Sequence, residues 1–380
     1  MIICDSELCT GCLACGSVCS QKAISETQDE QGFVIPLIDE TKCIKCNICI
    51  KTCPQNTPVL KQASDNCWAA ISLNRQIHED STSGGIISTI SDYALKNGWC
   101  VYLHRFEKDE LVCRAINNMD DIQKCQGSKY VESHMHLVIN EIQSKLKNNK
   151  KVLFVGTPCQ VAGVINACKR HDSNLLTISF ICGGVPSQKY LNETLSGIRN
   201  YKDIRFRRNN EYGFWLNDGI KERTIKRINS PYFIAFDEHI SLRESCYKCL
   251  YCTVERVGDI TVGDFWGLRK TKFELERSKG ISVIITTTEK GKEIINIMSE
   301  KKLIDIECHQ IDEAWQENPR LKTNVERNSH KDEFKQMVIQ HGFDKAVWKI
   351  YKRKYRVVKL KTVLKKIKIL DALYHMRQAR

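Results

Sequence analysis

The sequence predicts three regions: an α+β domain over residues 1–60, an α/β domain with a partly parallel sheet over residues 61–330, and a basic helical C-terminal tail over residues 331–380. Three observations predict this division. Two runs of four cysteines lie in the first 60 residues, a strand–helix–strand pattern lies near the centre, and basic residues gather at the end. A chain of 380 residues is long enough for two domains with an appendage.

The composition favours a metal-binding protein of the cytoplasm. Met1, Ile2 and Ile3 are followed at once by Cys4 and Asp5, which is unlike a signal peptide. No apolar run approaches the ~18 residues of a membrane span. The chain carries 20 cysteines, and thiols stay reduced in the cytoplasm. Metal binding therefore explains the cysteines better than disulfides do.

The N-terminal cysteines form two copies of the pattern C-x2-C-x2-C-x3-C. They are Cys9, Cys12, Cys15 and Cys19, then Cys43, Cys46, Cys49 and Cys53. This is the spacing of bacterial two-cluster ferredoxins, in which the fourth cysteine of each run ligates the other cluster. We therefore predict one 4Fe-4S cluster on Cys9, Cys12, Cys15 and Cys53, and a second on Cys43, Cys46, Cys49 and Cys19. A pair of zinc sites is the alternative, although zinc sites usually pair two short Cys/His couples. Cys4 lies outside the pattern and is predicted to be a packed thiol.

The next stretch contains a predicted linker at residues 54–66, a strand at 68–72 and a helix at 86–96. The sequence STSGG, residues 81–85, precedes that helix. A Ser/Gly turn at a helix N-terminus can hold a phosphate, and an ordinary helix cap is the alternative. Residues 99–106 and 111–116 predict a hairpin, and residues 135–146 predict a helix. Lys129 lies between these elements as either an anion ligand or a surface lysine. No G-x-G-x-x-G occurs, so a Rossmann dinucleotide site is not expected.

The central unit comprises a buried strand at residues 151–155, a helix from Cys159 to about Arg170 and a second buried strand at 175–181. Two strands joined by a helix in about 30 residues form a βαβ unit, so the strands should be parallel. Cys159 and Cys182 then both follow the carboxyl ends of strands at one sheet edge, where such sheets bind ligands. We expect these two cysteines to share a ligand.

A second cysteine-rich stretch covers residues 245–267. Cys246, Cys249 and Cys252 repeat C-x2-C-x2-C without a fourth cysteine nearby, and Cys159 or Cys182 would complete a third cluster; a zinc site is the alternative. Asp259 and Asp264 are predicted to lie in a turn region. Other predicted elements are a helix at 186–198, short strands within 201–240, a strand at 281–287 and a helix at 290–302. The six isolated cysteines are interpreted as small apolar residues: Cys67, Cys100, Cys113, Cys125, Cys168 and Cys308.

The tail holds most of the positive charge. Residues 345–380 have a net charge of +12, whereas residues 1–60 have a net charge of −3. Aromatic and aliphatic residues are interleaved with the lysines. One interpretation is a basic helix packed on its own protein; the other is a contact with an acidic partner or with the inner face of a membrane. No nucleic-acid partner is predicted.

Four motifs together resemble the coenzyme F-420 hydrogenase/dehydrogenase beta subunit family, in the variant with an N-terminal two-cluster ferredoxin domain. They are GTPCQVAG at 156–163, GSKYVES at 127–133, STSGG at 81–85 and VGDITVGDFWG at 257–267. The resemblance covers about residues 1–330. It implies an iron–sulfur flavoprotein in which FAD and a third 4Fe-4S cluster exchange electrons with a soluble carrier.

The resemblance also implies site residues. It assigns the third cluster to Cys159, Cys182, Cys246 and Cys249, which leaves Cys252 extra. Flavin contacts are expected near Ser83, Gly84, Gly85 and Lys129. Catalytic residues are not identified.

The expected function is an oxidoreductase that passes electrons between 4Fe-4S clusters and, through FAD, a two-electron donor or acceptor. A flavin suits that position because it exchanges single electrons with clusters and pairs of electrons with substrates. The partner is the deazaflavin coenzyme F-420 in the family, or a different substrate linked to polysaccharide assembly. The alternative is a non-enzymatic electron relay or scaffold that holds clusters but no flavin.

Overall fold

The N-terminal region folds around one antiparallel hairpin in the computed structural model, which describes residues 1–64, 66–198, 201–208 and 211–366. Strand β1 (Ile24–Gln28) pairs with β2 (Val34–Ile38). Helices α1 (Ala14–Ser17) and α2 (Ile48–Thr52) lie inside the two cysteine runs. Leu13 and Asn47, which precede these helices, both adopt left-handed backbone, with φ of 57° and 62°. The sequence repeat is therefore also a repeat of local conformation.

The remaining described strands, in chain order, are β3 (Asn66–Ser72), β4 (Cys100–Glu107), β5 (Glu110–Ile116), β6 (Val152–Gly156), β7 (Leu175–Phe180), β8 (Asp203–Arg208), β9 (Glu211–Asn217), β10 (Glu222–Lys226), β11 (Ile260–Asp264), β12 (Ser282–Thr286) and β13 (Ile304–Gln310). Eight of them form one sheet in the order β13-β3-β12-β11-β7-β6-β4-β5. The contacts β4–β6, β6–β7 and β7–β11 are parallel, and the other contacts are antiparallel. The predicted partly parallel sheet is confirmed.

The remaining described helices are α3 (Arg75–Asp80), α4 (Ile86–Lys96), α5 (Met119–Cys125), α6 (Val138–Lys147), α7 (Pro158–Cys168), α8 (Gln188–Leu195), α9 (Pro231–Asp237), α10 (Glu244–Tyr247), α11 (Glu289–Glu300), α12 (Ile311–Glu317), α13 (Lys331–His341) and α14 (Phe343–Lys366). No helix among the described residues has both the length and the apolar content that a membrane span requires.

The central βαβ unit consists of β6, α7 and β7. The two strands are parallel and in register from Val152 opposite Leu175 to Gly156 opposite Ser179. Thr157 begins α7 with a capping box, in which its side chain and that of Gln160 satisfy backbone groups at the helix N-terminus. All five residues of β6 are buried, as expected for a parallel strand inside a sheet that is covered on both faces.

Several predicted elements are wrong in position or kind. Asp264 and the residues after Asp259 form strand β11, not a turn, and β11 pairs with both β7 and β12. The glycines in VGDITVGD suggested a turn, but Gly263 lies in the strand against the side chain of Ile181. Helix α6 begins at Val138, three residues later than predicted, because His134 pairs with strand β5 and His136 and Leu137 form a turn before the helix. Strand β13 and the short helices α3 and α5 were not predicted.

A second layer contains the three-stranded sheet β10-β9-β8 and helices α8, α9, α13 and α14. Its core is aromatic, with Phe206 against both Phe214 and Phe233. Helix α14 contributes Phe343 and Tyr351 to this core. The first half of α14 is thus packed on the rest of the chain, whereas Leu360 is exposed. Tail residues 367–380 lie outside the described residues.

Candidate functional site

The four predicted ligands of the third cluster come from three separate segments. Cys159 lies in the first turn of α7, Cys182 follows β7, Cys246 lies in α10, and Cys249 follows α10. Burial raises the pKa of Cys159 to about 11 and that of Cys182 to about 12, and the thiol of Cys249 adds to both shifts. Burial raises the pKa of Cys246 as well, and the other three thiols add to this shift. The structure therefore brings these four cysteines together.

This group of thiols has the chemistry of a metal site. Buried thiols of raised pKa stay protonated at neutral pH, whereas a bound metal cation stabilises the thiolates. Cys252 lies beside the group and hydrogen-bonds to Cys249, and this bond is the main cause that lowers the pKa of Cys249 to about 7. The donor set thus fits a cluster, with Cys252 as a neighbour of one ligand.

The cysteines of the N-terminal runs also converge in the crossed combination. Cys12 and Cys15 both lie within electrostatic reach of Cys9 and Cys53. Cys4 lies beside this set, because its thiol hydrogen-bonds to Cys9 and Cys53 and so lowers the pKa of Cys9 to about 7 and that of Cys53 to about 6. The contact of Cys4 with two predicted ligands was missed in the sequence, where its position outside the pattern gave no signal.

The second crossed set surrounds a small cavity of about 20 Å³. Its lining includes Cys19, Cys43, Cys46 and Cys49. Burial raises the pKa of Cys49, and the nearby thiols of Cys46 and Cys19 add to this shift. The fourth cysteine of the first run thus faces the second run.

The first crossed set lies close to the third set. Gly163 of α7 packs on Cys12 so tightly that an added Cβ would lie 2.9 Å from its Sγ. Tyr251 is buried between the two sets and is within electrostatic reach of Cys12, Cys53, Cys159 and Cys249. The three sets therefore form a series from the N-terminal region to the central βαβ unit.

The series ends at a large cavity of about 660 Å³. Cys182, Gly183 and Gly184 form part of its wall, and so do the predicted flavin contacts Ser83, Gly85 and Lys129. Gly84 does not line the cavity. Its N–H donates to Ser282 Oγ at 2.9 Å, and a Cβ there would lie 2.1 Å from the carbonyl oxygen of Ala70. Gly84 therefore packs against the sheet.

The surroundings of Lys129 differ from those of a surface lysine. Its Nζ donates to the carbonyl oxygens of Cys125, Gln126 and Gly127 at 2.7, 3.0 and 3.0 Å. Burial lowers the pKa of Lys129 to about 8. The interpretation as a surface lysine is wrong, since these carbonyl oxygens enclose the ammonium group, which orders the loop that contains Lys129.

The loop before α4 has a free helix N-terminus. Gly85 occupies the N-cap position with φ of 77°, and no side chain caps it. The first helical residues Ile86, Ile87 and Ser88 line the cavity. Thr82 Oγ1 and Ser128 Oγ lie 2.9 Å apart, which ties this loop to that of Lys129. The helix N-terminus at this wall therefore suits an anionic group.

Several polar residues of the cavity were missed in the sequence. His104 lies in the wall, and burial lowers its pKa to about 4. Arg227 forms a bidentate pair with Asp237, with two contacts of 2.6 Å. Arg320 also faces the cavity. These residues come from segments without a recognisable motif, so only folding identifies them.

A buried ion pair joins the N-terminal region to the large domain. Arg243 donates to the carbonyl oxygens of Cys9 and Val34 at 3.0 and 2.8 Å and contacts the carboxylate of Glu132. Glu132 also accepts from the N–H of Val34 at 3.2 Å. Both side chains are 6 % exposed. The pair fixes the first cysteine run against the third set, since Arg243 lies three residues before Cys246.

Thiol sets of this kind beside a ligand-sized cavity define an iron–sulfur protein. Residues 67–140 match the family described as coenzyme F420 hydrogenase/dehydrogenase, beta subunit N-term, and residues 149–312 match its C terminus. Residues 8–57 match a 4Fe-4S dicluster domain. The two beta subunit matches together cover more than half of the chain, which therefore belongs to this family of iron–sulfur oxidoreductases.

One curated relative is the coenzyme F420-dependent sulfite reductase of Methanocaldococcus jannaschii. It is 24% identical over an alignment of 356 positions that covers 87% of this chain and 52% of the relative. The chain therefore spans about half the length of that relative. A chain of the F420-reducing NiFe hydrogenase complex from Methanosarcina barkeri is similar in structure with a TM-score of 0.48, at 19% identity over 78% of this chain and 94% of that chain.

Proposed function

We propose that this chain is an iron–sulfur flavoprotein that moves electrons between three 4Fe-4S clusters and a two-electron carrier or substrate through FAD. One observation carries the proposal: a single cavity is lined both by Cys182, a predicted ligand of the third cluster, and by the predicted flavin contacts Ser83, Gly85 and Lys129. FAD, when bound, exchanges single electrons with a cluster and electron pairs, as hydride, with a partner.

The size of the cavity supports this proposal. Its volume of about 660 Å³ lies within the ~300–1,000 Å³ that is typical of small-molecule sites. The wall is largely apolar, with Phe180, Ile181 and Val262 near Cys182. An apolar wall excludes water from a redox site and so limits loss of electrons to solvent.

The two glycine-containing loops would hold the diphosphate of the cofactor. The uncapped N-terminus of α4 offers backbone N–H groups to an anion. Lys129 orders the opposite loop of the cavity wall through its three hydrogen bonds to carbonyl oxygens. It would therefore act on the cofactor by positioning the loop.

The order of the thiol sets supports one electron path through the chain. Electrons would pass among the N-terminal clusters, from the set that contains Cys12 to the set that contains Cys159, and then to the cavity through the cluster on Cys182. The close packing of Cys12 on Gly163 supports this order. The partner would reach the open side of the cavity, where Arg320 offers a positive charge to an anionic carrier.

Two partners are candidates for the electron exchange at this cavity. Coenzyme F420, which is named for the sulfite reductase relative, is the first candidate. A substrate linked to polysaccharide assembly is the second. Each candidate, in its reduced form, is added to the protein without oxygen. Loss of cluster absorbance then shows which candidate donates electrons to the protein.

Flavin content tests the central proposal. Protein purified without oxygen should release about one FAD per chain with acid. Gly183→Phe should remove the flavin and retain iron, since Gly183 lines the cavity and no atom lies within 4 Å of a Cβ added there. Gly197→Phe is the matched control, because a Cβ at Gly197 also meets no atom within 4 Å and this residue does not line the cavity.

Full iron content without flavin would favour the second candidate function, an electron relay that holds clusters alone. Flavin content unchanged by Gly183→Phe would place the flavin elsewhere.

For the tail we propose a contact with an anionic surface. Beyond Tyr351, helix α14 carries lysines and arginines, and the side chains of Val357, Val358 and Leu360 are exposed. Such a helix can bind anionic lipid or an acidic partner. Truncation after Tyr355 preserves the buried half of the helix and should abolish salt-sensitive binding to anionic vesicles. Equal binding by the truncated protein would contradict the proposal.

A further inference from the structure

A cluster of two histidines and two glutamates lies between the N-terminal hairpin and the large sheet. Glu26 comes from β1, Glu110 from the start of β5, and His134 and His136 from the segment before α6. Glu26 Oε1 lies 3.5 Å from His134 Nδ1, and Glu26 Oε2 lies 3.2 Å from His136 Nδ1. Glu110 Oε1 contacts His134 Nδ1 and lies 3.6 Å from His136 Nε2.

The backbone holds His134 firmly in this cluster. Its N–H donates to the carbonyl oxygen of Leu111 at 2.9 Å, and its carbonyl oxygen accepts from the N–H of Cys113 at 2.9 Å. The segment therefore extends the edge of the large sheet by one parallel bridge opposite Val112. An imidazole that is fixed by the backbone is pre-organised to bind a ligand.

The side chain of His134 is buried without a hydrogen-bond partner. It is 2 % exposed, and neither ring nitrogen makes an aligned hydrogen bond with any residue that the structure describes. Burying a polar group without such a bond costs about 1–3 kcal/mol in proteins. Glu110 touches the ring without meeting the alignment of a hydrogen bond. Both ring nitrogens of His134 therefore lack an aligned partner among the described residues, although carboxylate oxygens lie beside Nδ1.

We propose that Glu26, His134 and His136, with Glu110 as a further ligand, bind one divalent transition-metal ion of the Zn²⁺ class. Ligand atoms around a tetrahedral ion with bonds of about 2.0–2.1 Å lie roughly 3.3 Å apart. The separations between the carboxylate oxygens of Glu26 and the Nδ1 atoms of His136 and His134, 3.2 and 3.5 Å, lie near this value. Ligand atoms of the first three residues all lie within 4.8 Å of one another.

The donor types select the class of metal. Imidazole nitrogen with carboxylate oxygen suits zinc and ferrous iron, whereas Mg²⁺ and Ca²⁺ prefer oxygen alone. The positive ion would also offset the charge of the two carboxylates. Because Glu26 belongs to the hairpin and both histidines belong to the large domain, the metal would join the cluster-bearing region to the rest of the chain.

Zinc is the probe for this site. Cluster-loaded protein, prepared without oxygen in metal-free buffer, should bind one Zn²⁺ with a dissociation constant of about 1 µM or tighter by calorimetry. X-ray absorption at the zinc edge should show nitrogen and oxygen at about 2.0–2.1 Å and no sulfur shell at about 2.3 Å. The absence of sulfur separates this site from zinc held by the cysteine sets.

Variants should weaken zinc binding at least about 100-fold, since removing a ligand costs more than the roughly 10–100-fold loss for a supporting residue. Glu26→Gln and His136→Ala are chosen because their side chains are 23 % and 33 % exposed, so that both should fold. His330→Ala is the control, because this exposed histidine also pairs with a glutamate, Glu333, at 2.9 Å. Absent zinc binding, a sulfur shell, or equal weakening by His330→Ala would show that the cluster is an ion-pair network only.

Discussion

The N-terminal cysteines and the third cysteine set build sites of the same kind by different routes. The eight N-terminal cysteines lie within 45 residues in two runs, and each run has its own left-handed turn, at Leu13 and at Asn47, before a short helix. The third set draws Cys159, Cys182 and the pair Cys246 and Cys249 from three segments across the large domain. The first arrangement depends mostly on local spacing, and the second depends on the sheet.

The two kinds of site therefore differ in how much their ligand geometry depends on distant contacts. A local run retains most of its ligand geometry when distant contacts are weakened, because few residues close the loop. The third set requires β6 and β7 to be adjacent and α10 to be docked, so any loss of sheet packing separates its thiols. Arg243 and Gly163 lie at the junction between the two kinds of site.

The largest effect is expected from the third set itself. The intact chain should hold about 12 iron atoms, and Cys159→Ala or Cys182→Ala should reduce this number to about 8 while the N-terminal clusters remain. Cys252→Ala is the matched control within the same segment and should cost little iron. Iron analysis with electron paramagnetic resonance measures both. If Cys252→Ala alone removes four irons, the assignment of Cys246 and Cys249 as the ligand pair is wrong. Zinc in place of the iron of the third cluster, under strict exclusion of oxygen, would refute that cluster.

The next effect concerns the buried pair that connects the two regions. Arg243→Met leaves Glu132 buried without its partner, so the free energy of unfolding should fall by about 3–5 kcal/mol. Anaerobic denaturant unfolding, followed by cluster absorbance, measures the change. Lys248→Met is the control, since Lys248 joins the same regions through Glu7 at 2.8 Å with both side chains more than half exposed. Its loss should cost much less than the loss of Arg243, because solvent screens an exposed ion pair; equal costs would show that burial of the pair is not decisive.

The smallest effect is expected at the contact of α7 with the first cysteine run. In Gly163→Ala the new methyl group meets Cys12 Sγ at 2.9 Å and Cys12 Cβ at 3.1 Å, and overpacking of this kind costs about 1–3 kcal/mol. We expect slower electron transfer between the N-terminal clusters and the third cluster, with the iron content unchanged. Freeze-quench spectroscopy measures the transfer. Gly197→Ala adds the same methyl group in open space and should leave the rate unchanged; slowing in both variants would indicate a general loss of stability.

The sequence by itself determined the features that depend on neighbours along the chain. The cysteine spacing predicted the N-terminal dicluster region, and the apolar runs on either side of α7 predicted the parallel pair β6 and β7. The Ser/Gly turn predicted a helix N-terminus at Gly85. These features follow from local ring size, periodicity and backbone sterics, which act over a few residues.

Contacts between residues that are far apart in the sequence depend on the tertiary structure. In the fold Gly84 packs against the sheet, Lys129 supports its own loop, and residues 260–264 form a strand. The fold also brings Glu26 to His134 across more than 100 residues. Such contacts depend on the order of strands in the sheet, and strand order is set by the total burial of the core and is not encoded in any short run of residues.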